Sequence, residues 1–86
     1  MREAMQGRWT YNNLWQWVIE GDTAYKAYAD FGQDFAGDQI RFDITWSPSE
    51  GTFEIGEFHI TVEKGGSSLT EDGKYVYEKG GFLKHL

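Results

Sequence analysis

The chain has 86 residues, a formal net charge of −6 at pH 7, one proline, no cysteine, and fifteen aromatics made up of six Phe, five Tyr and four Trp. That length holds a single domain, because so short a chain buries only about 60 to 68% of the surface it exposes when unfolded. Disulfide staples and thiolate metal sites are excluded, and nucleic acid binding through phosphate contacts runs against the sign of the charge.

The charge is uneven. From Glu20 to Glu57 nine acids face only Lys26 and Arg41, a local balance of minus seven. Such a surface keeps an aromatic-rich chain soluble or attracts a basic protein partner. No apolar run approaches the roughly 18 residues of a membrane span, and Met1 to Gln6 is not followed by a signal-peptide apolar block. A soluble protein, away from membranes and in the cytoplasm, is the expectation.

Turn signals recur at short intervals: Asn12-Asn13, Gly21-Asp22, Gly32, Gly37-Asp38, Ser47 to Gly51, Gly65-Gly66, Asp72-Gly73 and Gly80-Gly81. Spacings of about 8 to 12 residues suit an antiparallel sandwich or barrel. Along the chain, Trp15, Trp17 and Ile19 alternate with polar or smaller neighbours ahead of the first ambiguous stretch, Gly21 to Gly37. There Asp22 could cap a helix near residues 23–31, with Ala24, Tyr28 and Phe31 on one side and Gly32 as its stop. The alternative is a hairpin in which Trp15, Trp17 and Ile19 face Tyr25 and Ala27 across Gly21-Asp22, as Thr, Tyr and the aromatic alternation prefer.

Ile40, Phe42, Ile44 and Trp46 then alternate with Arg41, Asp43 and Thr45, the period-two pattern of a strand with one buried face. Phe58, Ile60 and Val62 repeat it. Phe53 and Ile55 have the opposite parity to Phe58, so Gly56 is either a bulge or the first residue of a two-residue type II′ turn that pairs Ile55 with Phe58. A short internal repeat follows: Val62-Glu63-Lys64-Gly65-Gly66 returns as Tyr77-Glu78-Lys79-Gly80-Gly81, with Asp72-Gly73 as the turn between, giving a meander that runs to Phe82-Leu83.

Chemistry is sparsely signalled. Asp30-Phe31-Gly32 matches a kinase tripeptide without a kinase's other loops, and Asp34 and Asp38 lack the alternation of an EF-hand. His59 and His85 have no metal-site or base partner at suitable spacing. Asp43, Glu54 and Glu57 could supply paired carboxylates for a small hydrolase only if folding brings them together. No motif asks for a cofactor or a metal. The aromatic excess is the remaining feature, serving as core, as pocket wall or as a platform for sugar rings.

Gly7-Arg8-Trp9 resembles the Gly-x-Trp opening of lipocalin-like, or calycin, barrels. Ile19 to Tyr25 looks like the strand-turn-strand of small bacterial members, and Lys74-Tyr75-Val76-Tyr77 with Gly81-Phe82-Leu83 is similar to their last hairpin. The resemblance implies an up-and-down barrel whose closed end is plugged by Trp9. The chain is shorter than is usual for such barrels, so eight strands fit only if strands and turns are brief, and a half-closed barrel or one completed by a second chain stays open.

The expectation is therefore a mainly β domain, residues 1–86, an antiparallel meander of six to eight strands forming a small lipocalin-like barrel or curled sheet, with an α+β form as the alternative. Its leading function is a non-enzymatic binding module that takes a small apolar or ring-containing ligand on Trp15, Trp17, Tyr25, Phe42 and Trp46. The competing function is an acidic protein-interaction or regulatory module, a homodimer joined by edge strands.

Overall fold

The computed structural model describes residues 1–30, 33–34 and 40–81. Nine strands lie among them: β1 (Gly7–Tyr11), β2 (Trp15–Glu20), β3 (Thr23–Asp30), β4 (Gln33–Asp34), β5 (Arg41–Ser47), β6 (Thr52–Ile55), β7 (Phe58–Glu63), β8 (Ser68–Glu71) and β9 (Tyr75–Lys79). Eight of them close into an antiparallel barrel in the cyclic order β1-β2-β3-β5-β6-β7-β8-β9, while β4 pairs with β3 outside the ring. The mainly β expectation holds, and closure is complete within this one chain. Brevity is what makes it fit: the ring strands are four to eight residues long.

Helical structure among the described residues is confined to 3-10 turns at Glu3–Met5, Pro48–Glu50 and Lys64–Gly66. The helix considered near residues 23–31 does not form through Asp30, because β3 is bonded on one side to β2 and on the other to β5. Residues 31 and 32, the turn at Gly37-Asp38, the strand end at Phe82-Leu83, and His85 lie outside the described residues.

The β2–β3 hairpin forms with a register that differs from the expected one. Its loop, Gly21-Asp22, has two residues, so Glu20 pairs with Thr23, Ile19 with Ala24, Trp17 with Lys26 and Trp15 with Tyr28. Odd positions of β2 therefore share a face with even positions of β3. Tyr25 and Ala27, expected opposite the tryptophans, fall on the outer face. There they form a second buried cluster with Val18, and the Arg41 guanidinium lies 4.9 Å from the Tyr25 ring centre. A one-residue change of parity moves every side chain of a strand to the other face.

The other turns follow their residues. Asn12 and Asn13 have φ of 45° and 58°, and Asp72 and Gly73 have 51° and 67°. Two consecutive left-handed residues define a type I′ turn, which matches strand twist and favours Asn, Asp and Gly. At Gly56-Glu57 only the glycine has positive φ, 58°, and Ile55 pairs with Phe58. This is the type II′ alternative rather than the bulge. The fifteen-residue repeat is also explained: Val62 and Tyr77 both pair with Leu69, so the repeated strands flank β8 at one level of the barrel.

Inside, Trp9, Trp17, Phe53, Ile55, Ile60, Leu69 and Tyr77 are almost wholly buried. Burial of each such side chain contributes about 1.5–3 kcal/mol, which is how the domain does without disulfides. One end is shut by the N-terminal segment. Met5 is buried, and its carbonyl accepts from the Trp9 indole at 2.9 Å. Gln6 exchanges hydrogen bonds with the Gly21 backbone, its Oε1 accepting at 2.6 Å and its Nε2 donating at 3.0 Å. Asp22 accepts from the Trp46 indole at 2.9 Å and from the Arg2 guanidinium at 2.6 Å. Those donors, Trp46 first, hold its carboxyl below the usual value of 3.8.

Glycine is required at Gly56 on two grounds, its positive φ and the 3.0 Å approach to Phe42 Cδ1 that an added Cβ would make. At Gly51 the φ is 69° and an added Cβ meets nothing within 4 Å. Gly51→Ala should cost only the left-handed backbone penalty of about 1–2 kcal/mol. Gly56→Ala should cost more, by a margin set by the displaced Phe42, and urea unfolding of both variants measures that margin. Equal losses would show that Phe42 moves aside freely.

Candidate functional site

The opposite end of the barrel is built differently. It comprises the end of β1, the start of β2, the end of β3, the start of β5, and the β6–β7 and β8–β9 turns. Pleat alternation turns Tyr11, Trp15, Lys26, Tyr28, Phe42, Phe58 and Tyr75 inward there. Tyr28 is 54% exposed, and the other six are half-buried. The exposed apolar side chains Leu14 and Ile40 stand at the same end.

The rings fall into two groups. In the first, Tyr11 lies 4.6 Å from Trp15 and 5.2 Å from Tyr75, and Trp15 lies 5.6 Å from Tyr75 and 6.3 Å from Tyr28, all between centroids. The second is a triangle in which Trp17 is 6.0 Å from Phe42 and 5.5 Å from Phe58, with Phe42 and Phe58 6.1 Å apart. These are the separations at which edge-to-face and tilted pairs attract. Lys26 joins the two groups. Its Nζ stands 4.9 Å from the Trp17 ring centre, 5.3 Å from Trp15 and 5.3 Å from Phe58, within cation–π range.

Beneath the rings lies a polar network. Glu71 is 3% exposed, and its Oε1 accepts from Trp17 Nε1 at 2.8 Å and from the Tyr77 hydroxyl at 2.8 Å. The Tyr77 oxygen in turn accepts from Trp15 Nε1 at 2.7 Å. Burial pushes the Tyr77 phenol far above the ordinary tyrosine value of 10.0; the adjacent Glu71 carboxylate reinforces the shift and the Trp15 donor opposes it. Tyr77 thus stays a neutral donor to Glu71 throughout the physiological range.

Of the five residues expected to form the ligand wall, Trp15, Trp17 and Phe42 meet at this end. Trp46 points inward but lies at the shut end, 4.9 Å from Phe53, and Tyr25 is on the outer face. Sequence reasoning missed Lys26, Phe58, Glu71 and Tyr77, and it held Tyr28 only within the wider aromatic set that could line a pocket. The signal for Lys26 and Tyr28 was the two-residue turn at Gly21-Asp22, whose pairing rule places them opposite Trp17 and Trp15. The acids Asp43, Glu54 and Glu57 are exposed, and Glu71 is a buried acid on the interior face.

The fold and site define a small closed antiparallel barrel with one shut end and one aromatic, partly open end. No family model matches the chain, and no solved structure matches it. The glycine cleavage system H protein of Bacteroides fragilis is 42% identical to it over 55 residues, which are 62% of this chain and 41% of that protein. The chain thus spans well under half the length of the curated relative it matches.

Tyr77→Phe removes the group linking Trp15 to Glu71 and should destabilise the domain by about 1–3 kcal/mol, measured by urea unfolding at neutral pH. The two proteins should also diverge in alkali. The unfolded tyrosine ionises near 10.0, whereas the folded one does not, so the Tyr77 contribution is full below that pH and declines above it, by up to about 1.4 kcal/mol per pH unit. Parallel stability curves above pH 10 would mean that Tyr77 ionises as easily folded as unfolded.

Proposed function

We propose that the protein is a non-enzymatic, lipocalin-like binding module that takes a small apolar or ring-containing ligand at the open end of its barrel. The observation that carries this reading is the gathering of half-buried rings at one end, Tyr11, Trp15, Phe42, Phe58 and Tyr75 beside the exposed Tyr28, while at the other end Met5 and Trp9 are buried and Trp46 alone of the described rings is half-buried. A domain that used its aromatics solely as core would seal both ends, because exposed rings forgo the burial that stabilises them. The position of Trp9 at the shut end agrees with the Gly-x-Trp resemblance. The edge-strand dimer loses much of its motive, since β1 and β9 pair with each other.

The neutral dye phenylnaphthylamine tests the reading. Titration should give a saturable change in tryptophan fluorescence with reduced iodide quenching. Phe58→Ala should weaken binding by about 1 kcal/mol, roughly fivefold, and Trp46→Phe, at the shut end, should leave it unchanged. Equal effects of the two variants, or no saturable change in the wild type, would count against a pocket at the open end.

The sequence comparison favours a second reading, association with a glycine cleavage system, since the matched relative is named as a component of one. Mixing the chain with the purified components of such a system and measuring mass by light scattering should then yield a complex. Independent migration of every component would remove this reading.

A further inference from the structure

We propose that the open end of the barrel selects ligands whose apolar or aromatic body carries a single carboxylate, and that Lys26 reads that group. The inference rests on the binding-module reading and adds the chemical class of the ligand. Lys26 is turned inward by the register that pairs it with Trp17, and it is half-buried. An inward ammonium is costly unless it finds an acceptor or reaches water. Rings surround this one on three sides at 4.9 to 5.3 Å. Ring faces attract the charge, but an ammonium has three N–H donors that ring faces satisfy less well than oxygen does.

Glu71 does not supply that oxygen. Glu71 is held by Trp17 and Tyr77, and the ion pairs among the described residues are Arg2 with Asp22 and Arg41 with Glu20. The Trp17 indole has its N–H edge on Glu71 and its face toward Lys26, so one ring serves both charges and separates them. A ligand carboxylate entering past Tyr28 would meet the Lys26 donors, with its apolar body among the rings. Surrounded by those rings it would be poorly solvated, which strengthens the pairing over its value in water. Glu71, deeper, disfavours a second negative charge. The acidic outer surface opposes anion entry only weakly at physiological salt, because exposed charges are screened beyond about 8 Å.

Calorimetric titration with phenylbutyrate, phenylbutanol and phenylbutylamine, which share one body, tests the inference. The carboxylate should bind at least about tenfold more tightly than the alcohol, a difference of about 1.4 kcal/mol, and the amine should bind most weakly. Lys26→Met should bring the carboxylate down to the affinity of the alcohol, while Lys26→Arg should keep the preference. Equal binding of carboxylate and alcohol by the wild type, or a preference that survives Lys26→Met, would overturn the role of Lys26 and leave the aromatic pocket standing. Absence of heat with all three compounds would overturn the pocket and the inference together. Should Lys26→Met fail to fold, as judged by near-ultraviolet circular dichroism, the three-compound comparison on the wild type and Lys26→Arg still decides.

Discussion

The hydrogen bond from the Trp17 indole to Glu71, 2.8 Å long, is the contact on which the interior depends. A carboxylate that is 3% exposed inside a ring of strands is affordable only when donors meet it. Trp17 and Tyr77 do so from β2 and β9, so three strands are tied at the same depth. Because both donors are large rings, the same side chains that satisfy the charge also fill the space around it. The bond fixes the plane of Trp17, and that plane sets where Phe42, Phe58 and Lys26 can pack.

Two ends with different chemistry follow. At the shut end the contacts are largely polar and local to chain segments that meet there: Gln6 on Gly21, Trp9 on the Met5 carbonyl, Lys79 on the Ala4 carbonyl at 3.1 Å. Such contacts need fixed donors and acceptors. At the open end the contacts are between ring faces and edges, which tolerate small displacements because they lack the directionality of hydrogen bonds. The scaffold supporting them is stiff, since the turns beside them are tight I′ and II′ types.

Much of this was legible in the sequence. The alternation of Ile40 to Trp46 and of Phe58 to Val62, the turn at Gly56-Glu57 and the repeat ending in Gly65-Gly66 and Gly80-Gly81 each gave a strand or a turn found in the barrel. Period-two patterns are local, and a local pattern survives folding when one face is buried. Closure was not legible, because the pairing of β1 with β9 joins residues some seventy positions apart and no nearby residue encodes it. The buried Glu71 was hidden for a related reason: an acid on an inward parity is intelligible only once its distant donors are known.

The miss at Tyr25 is the most instructive, since it decides which side chains face the interior. With a two-residue turn, paired positions in β2 and β3 add to a constant odd number, which brings Lys26 and Tyr28 inward and sends Tyr25 and Ala27 out. With one residue more, the pairing would reverse: Tyr25 and Ala27 would join the tryptophans, the ammonium would stand in water, and the interior would become a sealed apolar core. Composition and hydrophobic periodicity would be nearly the same in both cases. What separates an open, charged, aromatic mouth from an ordinary core is therefore the length of the loop at Gly21-Asp22. Gly21 has φ of 66°, a conformation glycine adopts without strain. The set of side chains at the open end is thus fixed by a turn at the shut end.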